Sequence, residues 1–298
     1  MKRILLFSLL MTLALGACAT PVAPDDQKLT VTVSILPQKW FADQIGGDRI
    51  RTQAMVGSGD DPHTYEPSPQ QMTALADSDL YFTIGVEFEE VWMPRFETSN
   101  PAMRVVDSAE GIERIPAEFE HHHGEAETEE HAHEVEEDDP HIWFSPSRMK
   151  QMAQNMARAM QAADPRNAGY YQTNLENLLK TIDAVDAEVR SKLADAKRDH
   201  FMVVHPAWGY VAEEYGLRML SVEIDGSEPA PETLAQIISL AKQYEINTLV
   251  IEKGSNARLA ASIAEQAGIA DIVEWDPMAY DWSVNMRIIA DTLQKALN

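Results

Sequence analysis

Cysteine is almost missing from this chain, and lysine and arginine are scarce. The single cysteine, Cys18, has no partner for an intrachain disulfide, so the fold must rest on its apolar core. Lysine and arginine together number 24 against 48 aspartates and glutamates, a formal net charge of −24. That deficit of positive charge excludes nucleic acid as a partner, because a phosphate backbone would be repelled, and it favours cations. Long apolar runs are lacking too. Ile4 to Leu15 is a run of twelve residues, short of the roughly 20 that span a bilayer, and no later segment is apolar enough to cross one.

That first run follows the basic pair Lys2 and Arg3 and ends at Leu15-Gly16-Ala17-Cys18. The layout is that of a secretory signal, and its end resembles a bacterial lipobox. Residues 1–17 are expected to be a signal peptide and Cys18 a lipidated first residue. Residues 18–28 would be a tether holding a soluble domain to the outer face of a membrane, either periplasmic or at the cell surface.

The segment 117–139, AEFEHHHGEAETEEHAHEVEEDD, carries eleven carboxylates and five histidines with no lysine or arginine. Its low apolar content and high net charge describe a solvated, disordered loop with no place in a packed core. His121, His122, His123, His131 and His133 make it a collector of transition-metal ions. The plainer reading is a solubilising linker.

Elsewhere short β-branched runs alternate with helical patterns. Strands are predicted at 29–35, 49–55, 79–85 and 103–108, with helices at 36–46 and from the cap Ser68 to Asp77. A helix from Ser145-Pro146 to about Ala162 follows. From Asp164-Pro165 onward, Leu175, Leu178, Ile182, Val185, Val189 and Leu193 recur every three or four residues. They predict one amphipathic helix of about 30 residues, roughly 45 Å long. The second half repeats the element order: strands at 200–206, 218–223, 247–252 and 271–277, helices at about 207–215, 231–244 and 256–267, and a last helix from Trp282. The expected fold is α/β: two lobes, each a four-stranded mainly parallel sheet flanked by helices, joined by one long rigid helix. The lobes would span 29–164 and 198–298, with the linking helix at 165–197.

Ligands of open α/β sheets bind outside the carboxyl ends of the strands. His63 lies in the loop after the second strand, His141 follows the acidic segment, His205 ends the first strand of lobe two, and Asp281 follows its last strand. Three imidazoles and a carboxylate make a tetrahedral set suited to Zn²⁺. His200 begins its strand and so lies at the far end. Each loop histidine taken alone is more often a surface residue, and Asp276 and Glu223 compete with Asp281 for a place near strand ends.

Four blocks carry a family resemblance: GDDPHTYEPSPQQMTALADSDLYFTIG (59–85), DPHIWFSPSRM (139–149), VVHPAWGYVAEEYGL (203–217) and DPMAYDWSVNM (276–286). Together they resemble the metal-binding solute-binding proteins of bacterial ABC importers, the ZnuA/TroA-like family, across essentially the whole mature chain. The resemblance implies two α/β lobes linked by a long helix, with one metal in the cleft. It implies His63, His141 and His205 as histidine ligands and Asp281 as the carboxylate of many members; some zinc members use water or a nearby acid instead. The acidic His-rich insertion resembles the loop of the zinc-handling branch. Where many relatives read Pro-Gln-Phe, this chain has Glu252-Lys253-Gly254, a segment left without a role.

Three imidazoles favour Zn²⁺ over Mn²⁺, whose sites are richer in carboxylate. The expected activity is capture in the cleft and delivery to a membrane permease by a monomer, with small loop rearrangements and no wide hinge opening. Two other classes compete. A zinc hydrolase would use three ligands and a water, but the chain has no HExxH and no evident general base beside a histidine. The third class is a surface adhesin or interaction lipoprotein, a role an anchored domain could fill in addition to binding metal.

Overall fold

The computed structural model describes residues 28–117, 138–223 and 227–298. The signal peptide, Cys18, the tether up to residue 27 and all five histidines of the acidic segment lie outside the described residues. Among the described residues no helix is long and apolar enough to cross a membrane.

The first sheet contains β1 (Leu29–Ile35), β2 (Ile50–Val56), β3 (Leu80–Thr83) and β4 (Arg104–Asp107), all parallel in the order β2-β1-β3-β4. The second contains β5 (His200–Val203), β6 (Arg218–Ser221), β7 (Thr248–Glu252) and β8 (Asp271–Trp275), parallel in the matching order β6-β5-β7-β8. β1 shows why such strands sit centrally. Val31, Val33 and Ile35 are fully buried, and so are Thr32 and Ser34 on the other face. The two hydroxyls are satisfied by Ser78 Oγ at 2.5 Å and Tyr81 Oη at 2.9 Å, as buried polar groups require.

Helices α1 (Leu36–Gly46), α2 (Pro69–Leu75) and α3 (Glu87–Ser99) flank the first sheet, followed by α4 (Pro146–Ala163). Ser68 and Ser145 cap α2 and α4, each accepting a hydrogen bond from a first-turn amide, with proline opening each helix. The sequence reading assigned no element to α3. It forms around Pro94, a residue that costs an internal hydrogen bond and hides the helical pattern.

The long helix is shorter than expected. Pro165–Asn167 form a 3₁₀ turn, and α5 runs from Ala168 to Leu193, 26 residues, or about 39 Å. Asp164 arrests the first turn by accepting from Asn167 Nδ2 and Tyr171 Oη. At the other end Lys197 and Arg198 both donate to the Leu297 carbonyl. The buried stripe of α5 is Tyr171, Leu175, Leu178, Ile182, Val185 and Val189, each contributing about 1.5–3 kcal/mol when removed from water. That stripe packs on α1 and α4 from the first lobe and on α9 (Trp282–Ala296) from the second.

Beyond α5, the second sheet carries α6 (Gly209–Tyr215), α7 (Pro231–Gln243) and α8 (Ala257–Ala267). One apolar cluster runs from the first lobe into the second, while Met202, Val204, Leu220, Leu249 and Ile251 form a separate cluster with α7 and α8. Aromatic rings stitch the lobes together. Phe144 lies 4.9 Å from Trp275, Trp40 lies 6.0 Å from Trp282, and Trp282 Nε1 donates to the Trp143 carbonyl at 2.6 Å. The base of the cleft is thus a buried seam between the two lobes.

Candidate metal centre

The two sheets point the carboxyl ends of their strands at one cleft of about 1390 Å³. His63 enters it from the loop after β2, His141 from the connection into α4, and His205 from the residue pair that follows β5. Ring centroids are 5.4 Å apart for His63–His141, 5.2 Å for His63–His205 and 5.4 Å for His141–His205. The three offer ligand atoms that all lie within 4.8 Å of one another. A tetrahedral zinc with Zn–N bonds of about 2.0–2.1 Å would draw the nitrogens to about 3.3 Å. Side-chain adjustments of an ångström or so achieve that.

Each imidazole is aimed by a carboxylate on its Nδ1. Glu87 Oε2 stands 2.8 Å from His63 Nδ1, Asp139 Oδ1 is 2.7 Å from His141 Nδ1, and Glu223 Oε2 is 3.0 Å from His205 Nδ1. With Nδ1–H donating to an acid, the neutral ring keeps its Nε2 lone pair for another partner. His205 Nε2 is buried and has no hydrogen-bond partner. A buried nitrogen left in that state awaits a ligand.

The chain around Asp139 shows how one of these acids is placed. Its Oδ1 also accepts from His141 N at 2.8 Å, its amide donates to Ile115 O at 2.9 Å, and its carbonyl accepts from Tyr210 Oη at 2.6 Å. Oδ2 packs against the start of α6, where a Cβ on Gly209 would sit only 2.7 Å from it. Glycine at 209 is what admits the acid.

Charge tunes the three rings differently. Burial lowers the His63 pKa, but the hydrogen bond and charge of Glu87 outweigh it and the net shift is upward. His205 follows the same pattern: burial lowers it, and Glu223 with the charge of Glu252 raises it further. For His141 burial prevails over Asp139, and the pKa falls. Glu252 at the end of β7 is pushed up to about 7 by burial, against the pull of His205 and His63.

Asp281 is not in this group. It is the N-cap of α9: Oδ1 accepts from Val284 N at 3.0 Å and Ser283 Oγ at 2.8 Å, and the residue is absent from the cleft lining. The helix start that the sequence places at Trp282 explains this, since an aspartate just before a helix is a preferred cap. His200 stacks on Tyr244, ring centroids 3.8 Å apart, at the opposite end of β5. Glu87, Asp139 and Glu252 escaped the sequence reading as site residues. Asp139, two residues before His141, carried a local signal; Glu87 and Glu252 become neighbours only through strand order.

At the mouth, the loop bearing His63 is tied to the second lobe. Ser58 Oγ donates to Asp276 Oδ2 at 2.5 Å, and Lys253 Nζ reaches Ser58 Oγ at 3.0 Å and Asp276 at 3.6 Å. Arg148 also pairs with the half-exposed Glu213 at 2.6 Å across the same boundary.

The model of the family described as zinc-uptake complex component A, periplasmic (ZnuA), matches residues 31–296. The chain belongs to this family. Among curated ZnuA-family relatives, the zinc-binding lipoprotein AdcA of Streptococcus pneumoniae is 28% identical over 278 residues, covering 90% of this chain and 54% of its own length. The chain therefore spans about half the length of the AdcA proteins it matches. The high-affinity zinc uptake system protein ZnuA of Bacillus subtilis is 28% identical over 266 residues, covering 87% of this chain and 82% of that protein. A crystal structure of ZnuA superposes with a TM-score of 0.81 at 33% identity, covering 91% of this chain and all of the other. A zinc-bound deletion mutant of ZnuA gives 0.83 at 32% identity, covering 91% and 99%. The fold is thus that of ZnuA: two four-stranded parallel sheets flanked by helices and joined by a long one.

Proposed function

We propose that this ZnuA-family chain captures Zn²⁺ in the cleft between its lobes and hands it to the membrane permease of an ABC importer. The observation that carries the reading is the triangle of His63, His141 and His205, each with Nδ1 held by its own carboxylate. Three nitrogen donors suit zinc's borderline softness better than manganese, which prefers oxygen. AdcA of S. pneumoniae and ZnuA of B. subtilis bear names that specify zinc. The ion is cargo in this scheme, and the protein performs no chemistry on it.

The remaining parts follow the same logic. Cys18 would carry a lipid that keeps the protein, as a monomer, at the extracytoplasmic face of a membrane. His121, His122, His123, His131 and His133 would bind zinc weakly and fast, raising its concentration at the cleft. The units would be 29–164 and 198–298, bridged by 165–197. The buried aromatic seam between lobes argues for delivery through loosening of the mouth loops.

The test is zinc competition against a chromophoric chelator with wild type, H63A, H141A and H205A. Each substitution removes a donor and should cost more than the roughly 10–100-fold that outer ligands contribute. Undiminished affinity in any one of the three would overturn the ligand set. Deleting 117–139 should leave the tight site intact, and its loss on deletion would refute the division of labour.

A further inference from the structure

The three histidines account for three donors, and a tetrahedral ion needs a fourth. They are neutral ligands, so the dication would keep its full charge in a buried site unless an acid answers it. The acids around the cleft are nearly all engaged. Glu87, Asp139 and Glu223 hold imidazole Nδ1 atoms. Asp61 accepts from His63 N and Thr64 Oγ1, and Asp60 accepts from Gly57 N. Asp276 is bound to Ser58 and Met278 N, and Asp281 caps α9.

Glu252 differs from these in having a carboxylate oxygen that is both sealed from solvent and unpaired. Among the described residues only three buried side-chain atoms lack a hydrogen-bond partner, and two of them are His205 Nε2 and Glu252 Oε1. Both face the same cleft. β7 lies next to β5 in the sheet, so Glu252, the last residue of β7, comes up beside the end of the strand that delivers His205. Among the described residues no lysine or arginine pairs with it: the adjacent Lys253 turns its ammonium to Ser58 and Asp276. A sealed carboxylate oxygen with no donor is unfavourable. Both orphaned atoms, an imidazole nitrogen and a carboxylate oxygen, carry lone pairs that one cationic centre and its bound water would satisfy.

We infer that Glu252, and not Asp281, is the carboxylate that answers the charge of the captured ion, accepting a hydrogen bond from the water that fills its fourth coordination position. The water is required because the set of ligand atoms within 4.8 Å of one another contains the three histidines and not Glu252. Glu252 is therefore a positioning residue that acts through that water. The inference rests on the three-histidine reading above.

The experiment uses the full chain stripped of metal, as wild type, E252Q, D281N and H205A. Three readouts apply: zinc affinity by chelator competition, the gain in Tm on zinc addition, and the visible absorption of the Co²⁺ form. E252Q keeps the shape and removes the charge. It should weaken zinc by about 10–100-fold, shift the Co²⁺ bands while preserving their four-coordinate intensity, and leave the metal-free Tm equal to or above wild type. D281N should change affinity by less than about threefold and leave the metal-free Tm near wild type, because asparagine caps a helix about as well as aspartate. A merely structural Glu252 would do the reverse, lowering the metal-free Tm and leaving the zinc increment untouched. E252A serves as a second variant and should weaken zinc at least as much as E252Q. Zinc binding by E252Q at wild-type affinity, or weakening in D281N alone, would overturn the inference and leave the three-histidine site standing. Wild-type affinity in H205A would instead overturn the site itself, and this inference with it.

Discussion

Asp139→Asn is the perturbation that isolates how the site is built. Asp139 and His141 are both 6% exposed, and their Nδ1–Oδ1 contact of 2.7 Å is the shortest of the three acid–imidazole pairs. Asparagine keeps an oxygen for the Nδ1 proton and for the His141 amide but gives up the negative charge. The imidazole becomes a poorer donor, and the outer-shell cost is about 10–100-fold in zinc affinity, or about 1.4–2.7 kcal/mol. The sign with pH is also fixed. Burial dominates the lowered His141 pKa while Asp139 opposes it. Removing the acid lowers that pKa further and weakens proton competition. The deficit of D139N should therefore be largest near pH 7.5 and narrow as pH falls. Chelator competition at pH 7.5 and 6.0, with circular dichroism to certify the fold, reads both effects. Equal affinity of D139N and wild type at pH 7.5 would refute the claim that carboxylates prepare these rings.

Three further outcomes are expected. Zinc affinity should already be falling as pH drops below 7, because the His63 and His205 pKa values are raised above 6.5 and protons compete for both rings; with two protons to displace, the slope approaches about a hundredfold per pH unit, measured by buffered zinc titration. Gly209→Ala should crowd Asp139 Oδ2 and Ile115 Cδ1, at 2.7 and 3.2 Å from the new carbon, costing about 1–3 kcal/mol in urea unfolding and loosening zinc along with it. Glu89 is buried against the Ile84 and Gly85 amides, and burial pushes its pKa to about 7. The native state then holds a proton between pH 4.5 and 7 that the unfolded state releases, so stability falls as pH rises through that window, by about 3 kcal/mol from this group; E89Q should flatten that stretch of the unfolding profile.

Much of this arrangement was legible in the chain. β1 announces itself as a buried strand by LTVTVSI, and α5 by the spacing of Leu175, Leu178, Ile182, Val185 and Val189, because both periodicities are local. His63 and His205 were readable because strand ends in open sheets face the ligand. The aiming acids were harder. Glu87 lies 24 positions from His63 and Glu223 lies 18 from His205, separations that no local pattern encodes. Glu252 acquires its meaning only when β7 takes its place next to β5. Asp281 illustrates a conflict between two local rules: the acid that ends a loop as a candidate ligand is also the acid that begins a helix as its cap, and in this structure the cap prevails. α3 stayed hidden because Pro94 interrupts a helix that tertiary packing supports, with Phe88 and Phe96 buried beneath it.

The central claim is that imidazoles from both lobes share one ion, and X-ray absorption at the zinc edge of protein loaded with one equivalent tests it most directly. The account predicts three imidazole nitrogens at about 2.0–2.1 Å plus one oxygen, with the imidazole count falling to two in H205A. A first shell holding fewer than three imidazoles, or one that H63A, H141A and H205A all leave unchanged, would contradict it.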